Sequence, residues 1–256
     1  MTRSITLVAA AIVLASVSPS AQLRGRDVTD LDAANAGRGR GANPAAKTPK
    51  EAAPIDLTGY WVSIVSEDWR FRMMTPPKGD YPDFLLTPAG TTLANEWDPA
   101  RDEAGKDHCK AYGAPNIMRV PGRFHITWAD DRTLKMETDA GMQTRLLKFS
   151  GQPPQGPAGP PSRQGTSMAQ WERNALRVDT KNLLPGYLQA NGVPVSANAA
   201  MVEYLDVIKE PGGEVWLIDD SVITDPAYLV RSVKRSTHLR KQADASGWDP
   251  QPCLVR

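Results

Sequence analysis

Histidine is scarce in this chain, with only His108, His125 and His238 among 256 residues. Cysteine is scarcer, with Cys109 and Cys253 alone. No H-x-H, C-x-x-C or H-E-x-x-H spacing occurs, so no metal site is expected. No glycine-rich phosphate loop follows a strand-like segment. Ser196, in PVSANAA, lacks the strand–turn–helix setting of a hydrolase nucleophile, and no cofactor is expected. Charge of one sign is missing as well: 30 Lys and Arg face 29 Asp and Glu, a net charge of +1. That balance argues for neither nucleic acid nor an anionic membrane as a partner.

Long apolar runs are absent except at the start, MTRSITLVAAAIVLASVSPSAQ. Arg3 precedes an apolar stretch from Ile5 to Val17, followed by small residues. That is the layout of a secretory signal peptide over residues 1–21. A membrane anchor is the rival, but about 13 residues are too few to span roughly 30 Å of hydrocarbon. Neither a lipoprotein cysteine nor a later apolar span follows, so no membrane insertion is expected after cleavage. Secretion or a periplasmic location is expected. In such an oxidising compartment two thiols predict one disulfide, Cys109 to Cys253, with a reactive Cys109 beside His108 as the alternative.

From Gln22 to Pro54 aromatic residues are absent, while Gly, Ala, Pro and charge abound. Such a segment cannot bury enough apolar surface to offset its ordering entropy, so residues 22–54 read as a disordered linker. One domain is expected over 55–256. The spacing predicts one helix, Pro88 to Trp97, with Thr87 as N-cap and Pro88 at the first helical position. Strands are expected over 57–66, 69–74, 116–120, 123–129, 133–139, 143–149, 167–172, 176–180, 200–208, 214–223 and 228–237. Residues 151–165, GQPPQGPAGPPSRQG, read as a surface loop because proline has no amide to donate. Many short strands separated by turns indicate an all-β sandwich or barrel, mainly antiparallel.

Two resemblances sharpen that expectation. The G-x-W of Gly59-Tyr60-Trp61, opening the first strand, is similar to the start of lipocalins and other calycins. The resemblance implies an up-and-down β-barrel with one short helix. It also implies that Trp61 plugs one barrel end under a late arginine, Arg231 or Arg235. The region from Asp56 to Cys253 also resembles a family of uncharacterised secreted bacterial proteins. The segments that carry this are DLTGYW, HCKAYGAPNIMRVPGRFHITW, QTRLL, WERNALRVDTKNL, GYLQANGVPVSANAAMVEYLD, TDPAYL and the terminal Cys. It implies a β-barrel and a Cys109–Cys253 pair, and it transfers no catalytic residue. The family's Gly-Asp-Thr-Leu after its W-E motif is here Arg173-Asn174-Ala175-Leu176, which leaves any role of that Asp unsupported.

The hairpin GRFHITWADDRTLKMETDAG (122–141) poses the functional question. One parity carries Phe124, Ile126, Trp128, Leu134 and Met136; the other carries His125, Thr127, Lys135, Glu137 and Asp139. The polar parity is expected to continue as Gln143 and Arg145. Turned inward it would equip a cavity, at the cost of pairing every buried charge; turned outward it is a solvated surface. The inward case predicts a cofactor-independent lyase, isomerase or hydrolase. In it His125 is the general base, Glu137 or Asp139 orients it, and Arg145 stabilises an oxyanion. The other expectation is a carrier holding a small, partly apolar molecule inside the barrel. Trp69, Phe71, Met73, Trp128, Tyr187, Tyr204 and Trp216 would contact it, because aromatic and Met side chains adapt to irregular cargo. A third possibility is a barrel filled by its own side chains. The irregular stretch 185–199 is expected to gate or cross one barrel end.

Overall fold

The structure, a computed structural model, describes residues 47–149 and 159–255. The expected signal peptide, most of the expected linker and residues 151–158 of the proline-rich loop lie outside them. Nine strands form a closed barrel, and closure removes the unpaired edges an open sheet would present. They are β1 (Gly59–Ile64), β2 (Arg123–Asp130), β3 (Thr133–Thr138), β4 (Thr144–Phe149), β5 (Thr166–Glu172), β6 (Ala175–Lys181), β9 (Ala200–Lys209), β10 (Val215–Thr224) and β11 (Val233–Lys241). The order around the barrel is β1-β11-β10-β9-β6-β5-β4-β3-β2. Every neighbouring pair is antiparallel except β4 and β5, which run parallel. β5 therefore starts at the same end of the barrel as β4.

The remaining strands, β7 (Gly186–Gln189) and β8 (Val193–Val195), form a separate hairpin between β6 and β9. This is the stretch expected to cross a barrel end. Leu188, Val193 and Val195 pack there with Met201, Ile223 and Val233, which lie at the ends of β9, β10 and β11. A short helix, Ala114–Ile117, and a 3-10 turn, Lys110–Tyr112, complete this capped end. At the opposite end Phe149 stacks on Trp128 and meets Trp171 at a tilt. Trp171 Nε1 donates to the Pro49 carbonyl at 2.8 Å, so ordered chain begins before residue 55.

Alternation decides which face turns inward. Phe124, Ile126, Leu134 and Met136 are buried in the barrel, whereas His125 and Glu137 lie outside. The helix Pro88–Asn95 forms as expected, and the Thr87 side chain accepts from the Gly90 amide at 3.1 Å. A second helix, Pro99–Ala104, follows on an Asp98 cap. Three expected strands are corrected. Residues Trp69–Met73 are a helix, entered through Asp68 at φ 50°. Residues 116–120 lie in the short capping helix and the turn after it, and the last strand starts at Val233 rather than at residue 228. In each case the side-chain pattern was compatible with a strand, but backbone turns supply the hydrogen bonds instead: Arg119 and Val120 amides donate to Asn116 and Ile117, and Leu229 to Asp225.

Cys109 and Cys253 are joined, as expected, across 144 residues. The bond fastens the C-terminal tail to the capping segment, and Gln251 lies in a bridge with Ala140. Trp61 is buried, and its Nε1 donates to the Leu57 carbonyl at 2.9 Å. The cation over its ring is neither Arg231 nor Arg235. Lys241, its cross-strand partner on β11, places Nζ 5.1 Å from the ring centroid. Register explains this: Arg235 shares the parity of Lys241 but lies six residues away along β11, and Arg231 precedes the strand.

Candidate functional site: a cation-lined cleft at the capped end

The barrel interior is layered. Its middle carries Arg145, Ser167, Thr180, Glu203, Asp219 and Thr237, all buried, between apolar residues on either side. Arg145 grips Glu203 with two hydrogen bonds, Nη1 to Oε1 at 2.9 Å and Nη2 to Oε2 at 2.6 Å. Burial alone would lower Arg145, but the charge and hydrogen bonds of Glu203 hold it above its ordinary range. Asp219 has no such partner. Burial, and then the nearby Glu203 charge, push it well above the usual carboxylate range. The layer therefore carries one ion pair and one acid whose burial favours its protonated form, since a second buried negative charge would be costly.

Space for a ligand lies beyond this layer, against the cap. An outer cleft of about 570 Å³ opens there, lined among others by Asp68, Phe71, Asp83, Phe84, Arg119, Arg231, Lys234 and Arg235. It shares Phe71, Arg119, Gln189 and Arg235 with a small inner recess of about 30 Å³ that also reaches Arg72 and Asn116. One wall is the segment 77–84, strapped to the β7–β8 hairpin by two side-chain amides. Gln189 Nε2 donates to the Asp80 carbonyl at 3.1 Å, and Asn191 Nδ2 to that of Pro77 at 3.0 Å.

The charges around this cleft are unevenly paired. Arg119 Nη2 meets Asp68 at 2.6 Å, and Arg72 pairs with Glu67. Arg231, Lys234 and Arg235 have no carboxylate at ion-pair distance among the described residues; the two acids lining the cleft are Asp68, which Arg119 holds, and Asp83. Arg235 comes from the inward parity of β11. It is partly exposed and donates only to neutral acceptors: the Leu188 carbonyl at 2.8 Å, the Pro115 carbonyl at 3.3 Å and Asn116 Oδ1 at 3.4 Å. Its guanidinium sits 5.2 Å from the Phe84 centroid. Lost solvation, and then the charge of Arg119, pull it down to about 9. Arg72, buried at the recess, has Nη2 without a hydrogen-bond partner. Burial, followed by repulsion from Arg119, lowers it as well. A positive site short of acceptors is what an anion relieves.

A second cleft, of about 250 Å³, lies on the other side of the hairpin and holds Trp97, Asp102, Lys110, Tyr187 and Tyr228. Its charged groups pair with one another, while the buried Trp97 Nε1 has no hydrogen-bond partner. Tyr187 Oη donates to Asp102 Oδ2 at 2.7 Å, and Lys110 pairs with the same carboxylate. Burial and that hydrogen bond raise Tyr187 well above its ordinary value.

Of the side chains expected to form a catalytic set, His125 and Glu137 are neighbours, but Asp139 and Arg145 lie apart from them. His125 lies on the outer surface, stacked on Tyr60 at 4.1 Å between centroids, with Nδ1 3.5 Å from Glu137 Oε2. Asp139 is buried, and its Oδ1 accepts from the Arg123 and Ala140 amides at 2.6 Å each. Arg145 pairs with Met136 across the β3–β4 ladder and so faces the interior, not the His125 surface. The expected ligand contacts also scatter. Phe71 lines the cleft, while Trp69 and Met73 are exposed. Trp128 closes the far barrel end and Tyr187 belongs to the second cleft. Tyr204 pairs with Arg177, which sits over its ring, and Trp216 pairs with Arg240 on β11. The group of Arg72, Arg119, Arg231, Lys234 and Arg235 was missed. Part of it was legible: in V-K-R-S-T-H-L, Arg235 shares the parity of Val233 and Leu239, an odd place for a charge on a strand with a buried face.

Fold and site together define a closed, disulfide-fastened β-barrel whose interior is occupied by its own side chains and whose capped end carries a cationic cleft. Comparison with protein-family models, with curated proteins and with solved structures returns no significant match. The geometry alone therefore carries the functional reading.

Proposed function

We propose that this is an exported barrel protein that binds a small organic anion with an apolar portion in the cleft at its capped end. The observation that carries this reading is Arg235, a guanidinium facing the cleft with neutral acceptors only. Arg231 and Lys234 beside it add unneutralised charge, while Phe71 and Phe84 supply apolar wall. A carboxylate or phosphate would complete the hydrogen bonding of Arg235, and the body of the ligand would lie on the two aromatic rings. The cleft is favoured over the barrel interior because the inward-facing side chains are buried against one another. Export is supported by the signal-like start of the chain and by the disulfide, which persists in oxidising compartments.

Thermal unfolding with a matched series of ligands tests the reading. Octyl phosphate and octanoate should raise the melting temperature, because a ligand that binds only the folded state stabilises it. Octanol and octylamine, with the same chain, should not. Equal shifts for all four would place the affinity in the alkyl chain and remove the argument from charge.

A further inference from the structure

Five large apolar side chains are exposed around the cleft. Trp69, Met73 and Met74 are 61%, 57% and 60% exposed, and Leu85 and Val230 are 52% and 60% exposed. These five side chains fall in three segments that frame the cleft, 69–74, 84–85 and 230–231. Trp69 and Met73 stand four apart on one short helix and so share a face, while Phe71 between them lines the cleft. The Val230 amide donates to the Leu85 carbonyl at 2.9 Å, which sets those two side by side. Their chain neighbours Arg231 and Phe84 line the cleft. Exposed Trp and aliphatic groups around unpaired Arg and Lys match the needs of a lipid–water interface. There, apolar burial and attraction to anionic headgroups act together.

We propose that this end of the barrel seats on an anionic membrane surface, so that a lipid phosphate is the anion presented to Arg231, Lys234 and Arg235. The proposal rests on the cleft being an anion site and names where that anion comes from. The contact is peripheral: no helix among the described residues is long and apolar enough to cross a membrane. Charge complementarity favours this occupant. Arg231, Lys234 and Arg235, without an ion-pair partner among the described residues, stand beside the exposed Trp and Met, and a second copy would bring the same sign to the same place.

Vesicle flotation of the purified protein, run beside calorimetric titration with octyl phosphate, tests it. Equimolar phosphatidylcholine and phosphatidylglycerol vesicles should carry the protein upward, and phosphatidylcholine vesicles should not. Raising salt from 0.1 M to about 1 M should release it, because the screening length falls to roughly 3 Å. The double variant Trp69→Ser/Met73→Ser should lose about tenfold or more in partitioning while keeping its affinity for octyl phosphate. Binding of octyl phosphate without binding of anionic vesicles overturns the membrane proposal and leaves the cleft reading standing. So does a variant that floats like the wild type, or self-association through this face without vesicle binding. Anionic vesicle binding that survives with no octyl phosphate binding, in contrast, overturns the cleft reading.

Discussion

Asp219 and Glu203 face the same interior guanidinium, and the geometry gives that guanidinium to Glu203. Asp219 then holds its proton more tightly in the folded state than in the unfolded chain. The folded state therefore binds more protons from the ordinary Asp range, about pH 4, up to the raised value, and stability falls as pH rises through that window. Asp219→Asn, which keeps the shape of the neutral acid, should flatten this slope. Urea denaturation at several pH values reads it, and parallel profiles for the two proteins would mean that Asp219 is ionised after all. The ion pair makes a second prediction at this scale. Arg145→Met leaves Glu203 buried and uncompensated and should cost about 3–5 kcal/mol. Adding Glu203→Leu should recover most of that loss, since an apolar pair of similar volume needs no solvation.

Among the elements, the β7–β8 hairpin decides whether the capped end is a lid or a wall. Its turn contains Gly192 at φ 88°, where a Cβ would stand 2.2 Å from Trp97 Cβ. Gly192→Ala combines a left-handed backbone with an overlap and should destabilise by about 2 kcal/mol or more. Thermal unfolding measures the loss, and an unchanged midpoint would show that the hairpin is free to move away from Trp97. This hairpin was legible only as an irregular stretch. Two of its strand positions are Gly186 and Pro194, and it has three or four residues per strand, too few for alternation to register. The long barrel strands were legible because alternation ran for six residues or more, as in Ala200–Lys209. Trp69–Met73 was misread for the opposite reason. Its apolar residues alternate, but the element is one helical turn whose Arg72 is held by the Arg119 carbonyl, a partner far along the chain.

At the scale of the whole molecule, a near-zero net charge concealed a local imbalance. Arg72, Arg119 and Arg235 come from three distant segments and meet only because the barrel closes and its cap folds back over β11. Composition averages such a cluster away, so the chain's formal charge could exclude a broadly basic surface but not a cationic cleft. The hairpin's facing was open in the sequence for a related reason. The β3–β4 register sets Arg145 opposite Met136, so a one-residue difference in the turn separates it from His125 and Glu137. A barrel of this kind needs no interior cargo to be stable, and its ligand is expected where the packing leaves Arg235 short of acceptors.

The most direct measurement of that claim is calorimetric titration of octyl phosphate into the wild-type protein and into Arg235→Gln. The account predicts saturable binding to the wild type and an affinity at least about tenfold weaker in the variant, the worth of a hydrogen bond to a charged group. Equal affinities in the two proteins, or no binding to the wild type, would contradict it.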